Sequence, residues 1–417
     1  MRTYARTHPW ITFEIDLSKA SPRLWMALGE AQSKCEHVAG NPLTPETARE
    51  LHQLYLAKGV LATTAIEGNT LSEDEVRKHL NGQLQLPPSR EYQQREIQNI
   101  IKAFNQMLEE ITHDNIAPIS LATAKKYNML ILDNLDLGED VIPGEIRRDS
   151  RVVGRYLCAP ADDCEYLLAK FCKWMNSDTF TPRDGDEIVY GLIKAIVSHL
   201  YFVWIHPFGD GNGRTARLIE LQFLMEAGVP SDAAHLLSNH YNQTRSEYYR
   251  KLDQASGSGG DILPFVEYAV RGFVQQLREQ ITVIREQQLD VTWVNYVHDR
   301  FRADKSNVAR RRRALALAIS EANRPVRKNE LDRLTPELAA AYARKTPKTI
   351  SRDLNALLQM KLVRLYPHGY VPAKNEIVAF LPLRRQTTNQ NINHDNDGLI
   401  ELMANDGREE EEQIARL

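Results

Sequence analysis

Apolar residues recur at helical spacing along most of the first 285 residues. Leu51, Leu54, Val60 and Leu61 follow a start signal in which Thr44 caps, Pro45 takes the first helical position and Glu46 lies in the first turn. Ile97, Ile100, Ile101 and Phe104 form one stripe of a helix running from about Ser89 to Glu110. Further helices are expected at Cys164–Asn176, Glu187–Ile205, Arg214–Glu226 (stopped by Gly228 and Pro230) and Ser246–Gln254. Ser256 to Gly260 reads as a flexible loop, and Pro264 begins the next helix. The most apolar stretch, Ile188–Ile205, is interrupted by Gly191, Lys194, Ser198 and His199. A bilayer span wants about 20 clean apolar residues, so this stretch predicts a helix buried in a helical domain and no membrane association. One segment breaks the helical pattern. Gly144–Leu157 opens on Pro143-Gly144 and carries a β-branched pair beside Gly154, which predicts a short hairpin.

The pattern changes near Ser306. A helix at 308–322, a helix around Lys328–Leu334, a helix at Thr349–Gln359 and a strand-turn-strand at Leu362–Val371 around His368-Gly369 follow in the order of a winged helix-turn-helix. The apolar face of the third helix is Ile350, Leu354, Leu357 and Leu358, leaving Lys348, Arg352 and Asn355 outward. The fold class is therefore mostly α, with one hairpin in the larger part and a two-stranded wing in the smaller.

Charge sharpens this division. The 417 residues carry a net charge of −3, but 300–385 hold 20 Lys/Arg against 7 Asp/Glu, while 386–417 hold 2 against 8. An acidic body, a basic module and an acidic, polar tail that reads as disordered follow one another. The basic module suits phosphate-backbone contact with DNA, or docking of a protein partner. The four cysteines form no CxxC pair, which excludes a disulfide framework and a thiolate zinc site and fits a reducing cytoplasm. The first residues lack the apolar core of a signal peptide.

The chemistry concentrates in His206-Pro-Phe-Gly-Asp-Gly-Asn-Gly-Arg-Thr-Ala-Arg217, between the buried helix and the next one. A Gly-rich loop at a helix N-terminus offers unpaired N–H groups and the positive end of the helix dipole to a phosphate. Gly211 and Gly213 admit close backbone approach, and Arg214 and Arg217 project from one helix face toward the anion. Asp210 supplies an oxygen ligand for Mg²⁺, and His206 is the group able to take a proton near neutral pH. That is a nucleotide site with a base beside it.

This stretch resembles the Fic family, whose motif HxFx[D/E]GNGRxxR is met by His206, Phe208, Asp210, Gly211, Asn212, Gly213, Arg214 and Arg217. The resemblance covers roughly residues 10–285. It implies a protein adenylyltransferase that moves AMP from ATP onto a Ser, Thr or Tyr hydroxyl. His206 would be the base and Asp210 would hold Mg²⁺. The amides and side chain of Gly211, Asn212 and Gly213 would cradle the phosphates beside Arg214, and Arg217 would grip the γ-phosphate. Thr63-Thr-Ala-Ile-Glu-Gly68 matches the family's inhibitory motif, which implies that Glu67 pairs with Arg217 and excludes productive ATP. The hairpin stands where the family places the flap that docks a target strand. Leu237 and Tyr249 stand where it lines the adenosine pocket, and Ser256 replaces an Asn that some relatives use toward the nucleotide.

The expected domains are an N-terminal helical region with the inhibitory helix at 1–115, a Fic catalytic core at 116–285, a linker helix at 286–305, a winged helix at 306–385 and the tail at 386–417. Relatives that dimerise imply a possible homodimer. Two rival functions share the sequence: removal of AMP at the same site, and DNA-binding regulation through the winged helix.

Overall fold

The computed structural model describes residues 2–41, 43, 45–113, 116–154 and 156–378. Thr44, expected as a cap, and the acidic tail lie outside the described residues. Contacts divide the chain into Met1–Ile284 and Arg285–Leu417, and the division falls inside the helix Leu263–Arg300 rather than at a separate linker helix.

The first unit is helical and builds one core. Ser21 caps Pro22–Ala39 through Leu24 N at 3.1 Å, and Ser72 with Glu75 forms a capping box on Glu73–Leu80. Glu91–Thr112 buries the expected stripe Ile97, Ile100, Ile101 and Phe104. Its start at Glu91 follows a 3₁₀ turn at Pro88–Arg90, slightly later than the sequence suggests. At the centre, Glu187–Ile205 packs on Asn212–Glu226. The first of these has an apolar window of spanning length, 83% of it buried inside the protein, so its hydrophobicity serves the core. Gly191 allows the approach, since a Cβ there would lie 2.1 Å from Ala227 Cβ.

Helices Pro45–Ala65 and Glu91–Thr112 share this core with the later helices. The hairpin is narrower than 144–157. Among the described residues the paired strands are Val152–Val153 and Tyr156–Leu157, with Val152 opposite Leu157, Gly154 at φ 61° in the turn and one further bond from Cys158 N–H to Arg151 O at 3.0 Å. Upstream, Ile146 instead bridges Phe208 and Arg147 N–H bonds Pro207 O at 3.0 Å, so the lead-in residues belong to the loop that carries His206. Ser256 and Gly257 close the helix Arg245–Gly257 rather than opening a loop.

In the second unit, Ser306 caps Asn307–Glu321, and the helix expected around 328–334 lies instead at Pro336–Tyr342. Thr335 caps it with Pro336 in first position, and Leu331–Arg333 makes only a 3₁₀ turn. Pro347–Gln359 follows, then antiparallel strands Val363–Tyr366 and Gly369–Pro372, joined by a bridge from Val326 to Tyr370. Leu354 and Leu357 are buried, Ile350 and Leu358 partly so, and Lys348, Arg352 and Asn355 are exposed. Asp353 is turned inward, accepting from Arg311 Nε at 2.7 Å, Arg312 Nε at 2.8 Å and Tyr342 Oη at 3.0 Å.

Candidate active site

His206 terminates the helix Glu187–Ile205 in a left-handed conformation, φ 51°. Its N–H still bonds Phe202 O at 2.9 Å, so the chain turns sharply where the helix ends. Six residues on, Asn212–Glu226 begins from Gly211, also left-handed at φ 75°. A Cβ at Gly211 would press on Asn128 Nδ2 at 3.0 Å and Leu132 Cδ2 at 3.1 Å. Two side chains hold the loop between. Asn212 accepts from Phe208 N–H at 2.9 Å and donates to Phe208 O at 2.8 Å. Buried Asn128 donates to Asp210 O at 2.9 Å and accepts from Gly144 N–H at 2.9 Å. Both ends of the Asn212 amide are thus engaged within the loop.

The charged groups converge on the start of the helix Asn212–Glu226. Arg217, its side chain 1% exposed, donates to Glu67 Oε1 at 2.5 Å and to Thr63 O at 3.0 Å. A Cβ at Gly213 would lie 2.2 Å from that same Oε1. The Glu67 carboxylate therefore rests over Gly213, at the positive end of the helix, where an anion is favoured. Glu67 is in the turn that follows the helix Pro45–Ala65, two residues past its end rather than on it. Burial works to raise its pKa, but the charge and hydrogen bond of Arg217, with the charge of Arg214, outweigh this and hold it below the ordinary carboxylate value.

Arg214 is buried, donating to Glu96 at 2.7 Å and to Asp210 at 3.3 Å. Asn69, two residues past Glu67, bonds the other Glu96 oxygen at 2.9 Å. Asp210 is half exposed and accepts from Gly211 N–H at 2.5 Å.

Burial first, and the Arg147 charge second, push the pKa of the His206 imidazole down to about 4, so it is neutral at neutral pH. Its Nδ1 is buried with no hydrogen-bond partner among the described residues.

The structure thus gathers His206, Asp210, Gly211, Asn212, Gly213, Arg214, Arg217 and Glu67 in one place. Leu237 is not among these polar groups: it is 1% exposed in the apolar core. Tyr249 is 39% exposed, its ring 5.1 Å from that of Tyr248, while Ser256 is committed to Asp253 O at 3.0 Å. Glu96, Asn128 and Arg147 carry no motif signal and were not expected. Among the described residues no group of three or more His, Cys, Asp or Glu side chains gathers as a metal cage. The single carboxylate of Asp210 does fit Mg²⁺, which commonly takes one or two carboxylates and leaves its other positions to phosphates and water.

Residues 118–224 match the model of the Fic/DOC family. The chain carries a Fic domain. Its similarity extends to protein adenylyltransferase fic-1 of Caenorhabditis briggsae, 26% identical over 305 residues, covering 73% of this chain and 54% of that protein. The same enzyme of Caenorhabditis elegans is 28% identical over 270 residues, covering 64% of this chain and 47% of that protein. The chain spans about half the length of these curated relatives. A crystal structure of a Fic family protein from Desulfovibrio desulfuricans G20 superposes with a TM-score of 0.52 at 20% identity, covering 84% of this chain and 96% of that one. C. elegans Fic-1 (residues 134–508) superposes at 0.51 with 24% identity, covering 63% and 73%. At these identities the structural likeness is one of fold. The Fic domain match holds the whole loop from His206 to Arg217.

Proposed function

We propose that the protein transfers AMP from ATP to a Ser, Thr or Tyr hydroxyl of a protein, and that Glu67 restrains it. One observation carries this reading: a carboxylate is seated on Arg217 and over Gly213, at a helix N-terminus that favours an anion such as a phosphate. The target oxygen attacks the α-phosphorus, the bond from that phosphorus to the α,β-bridging oxygen breaks, pyrophosphate leaves with its electron pair, and the hydroxyl proton passes to neutral His206. Gly211, Asn212 and Gly213 offer main-chain N–H groups, and Arg214 and Arg217 offset phosphate charge. Asp210 would hold Mg²⁺, which neutralises the polyphosphate. Leu237 and Tyr249 are read as the adenosine side, and the hairpin as the place where a target strand adds.

Hydrolytic removal of AMP, with Glu67 acting on a water, uses the same groups. The lowered pKa of Glu67 suits an ion-pair partner better than a base, which favours the inhibitory role.

For the second unit we propose a winged helix whose outward face, Lys348, Arg352 and Asn355, meets DNA or a protein partner. What supports it is that the one carboxylate of the helix Pro347–Gln359 faces inward, so its exposed charges are all positive. Four free, buried cysteines fit a reducing, cytoplasmic setting. A homodimer belongs to this reading as well.

Intact-mass analysis after incubation with ATP and Mg²⁺ tests the proposal on the unaltered protein, Glu67→Gly, and Glu67→Gly with His206→Ala. Gain of AMP by Glu67→Gly alone is expected. If ATP fails to bind even Glu67→Gly, the nucleotide reading is lost; if ATP binds and no variant gains AMP, removal of AMP takes precedence.

A further inference from the structure

Among the described residues Arg147 is a buried cation with no carboxylate paired to it. It is 5% exposed, and among the described residues its guanidinium donates only to main-chain carbonyls: Nε to His206 O at 2.7 Å, and the terminal nitrogens to Asp149 O and Ala159 O. Burying an unpaired guanidinium is unfavourable, and carbonyl dipoles offset this only in part. The three carbonyls are not a random set. Asp149 precedes the first hairpin strand, Ala159 follows the second, and His206 is the left-handed residue at the end of Glu187–Ile205.

A left-handed backbone is strained for a residue with a β-carbon and persists only where its surroundings hold it. Here the helix holds the His206 N–H through Phe202 O, and Arg147 holds the His206 carbonyl. The imidazole is faced by Arg147 from the lead-in to the hairpin, by Glu67 from the turn after Pro45–Ala65, and by Asp210 from its own loop. Arg147 favours the neutral ring; the two carboxylates oppose it.

We infer that Arg147 is a positioning residue for His206: one guanidinium fixes the backbone of the imidazole and ties it to both ends of the hairpin. The role of His206 as base rests on the function proposed above. The tie means that docking at the hairpin and presentation of the imidazole are mechanically coupled.

The test compares Arg147→Met and Arg147→Lys in the full-length Glu67→Gly protein. Its readouts are NMR titration of His206, calorimetric ATP binding with Mg²⁺, and the rate of self-modification by intact mass. With Met, the His206 midpoint should rise by about one pH unit or more. The rate should fall about tenfold or more while the ATP Kd stays within about twofold. Lys keeps the charge but loses the three-way fork, so the midpoint should stay low while the rate still falls. An unmoved midpoint together with an unmoved rate in folded Arg147→Met overturns the inference. So does a loss of ATP affinity in step with the rate, which marks a merely structural role. If Met does not fold, an unchanged rate in Lys overturns it. Should the parent gain no AMP, the proposed function fails, and the backbone NMR shifts of His206 in folded Arg147→Lys decide the role of Arg147: shifts unchanged from the parent overturn it.

Discussion

Replacing Glu67 with Gly should trade stability for nucleotide affinity. Arg217 has Glu67 as its carboxylate partner at 2.5 Å, with its side chain 1% exposed against 32% for Glu67. Stripping one partner from a fully buried pair destabilises by about 3–5 kcal/mol. Arg217 keeps Thr63 O at 3.0 Å and Glu67 is one-third exposed, so a value below that range applies, about 2–3 kcal/mol. In a domain of this size that lowers Tm by about 4–12 °C. The opposite sign holds with ligand. A charge-assisted hydrogen bond is worth about 1.5–3 kcal/mol, or roughly 10- to 160-fold in the competition between Glu67 and a phosphate for Arg217.

Thermal melts with and without ATP and Mg²⁺ measure both terms. Glu67→Gly should melt below the unaltered protein without nucleotide, gain more from ATP, and lose that gain when Arg217→Ala is added. Glu67→Gln, which keeps a neutral acceptor, should fall between. Because Glu67 titrates below 4.5, the pair contributes stability above the unfolded carboxylate pKa and loses it as pH falls through the lower folded value. The reasoning is refuted if Glu67→Gly melts with the parent and ATP shifts both equally.

Gly213→Ala places a methyl 2.2 Å from Glu67 Oε1 and 3.2 Å from an Arg217 terminal nitrogen. It should displace the carboxylate without releasing activity, because the methyl fills the phosphate position; calorimetry should find ATP binding at least about tenfold weaker than in Glu67→Gly. Asp353→Ala strands two arginines around a side chain that is 2% exposed and should destabilise the second unit by about 2–4 kcal/mol. Hydrogen exchange in peptides from 307–372 should accelerate while those from 187–226 do not change. Glu220, 1% exposed and bonded by Tyr241 at 2.9 Å, has its pKa pushed up to about 8 by burial. A raised carboxyl pKa stabilises below the unfolded value, and that stability is lost as pH rises through the folded one. Melts should therefore decline between about pH 4.5 and 8, and Glu220→Gln should flatten the decline.

The site was legible where its parts are adjacent in sequence. His206 to Arg217 supplies a turn, a helix N-terminus, two arginines and a carboxylate within twelve residues, and closeness in sequence alone brings these to one helix end, where an anion is favoured. Helices with a strong apolar stripe, such as Glu91–Thr112, were legible for the same reason. The second helix of the basic module lies later than the sequence suggests, where Thr335 caps it and Pro336 takes its first position, while Leu331–Arg333 makes only a 3₁₀ turn. Nothing local marks Glu96 as the partner of Arg214, 118 residues away, or Arg147 as the partner of His206, 59 away. Such pairs are fixed by packing, and a solvated charge and a buried one read alike in sequence.

Asn212 shows a different limit. Its place in the motif suggests a phosphate ligand, yet both of its amide groups close the loop on Phe208. A short loop between two buried helices must satisfy its own polar groups before it can present any outward. The side chains of such a motif therefore divide into those that hold the loop and those that meet the anion, and spacing alone does not say which is which. Arg217 falls in the second group for a reason that packing makes plain. Unlike Arg147, whose guanidinium is met by three main-chain carbonyls, Arg217 has only Thr63 O besides Glu67, and at 1% exposure it leans on an anion for the rest. On the proposed reading that anion is either Glu67 or a phosphate, so restraint and nucleotide binding become two occupancies of one position.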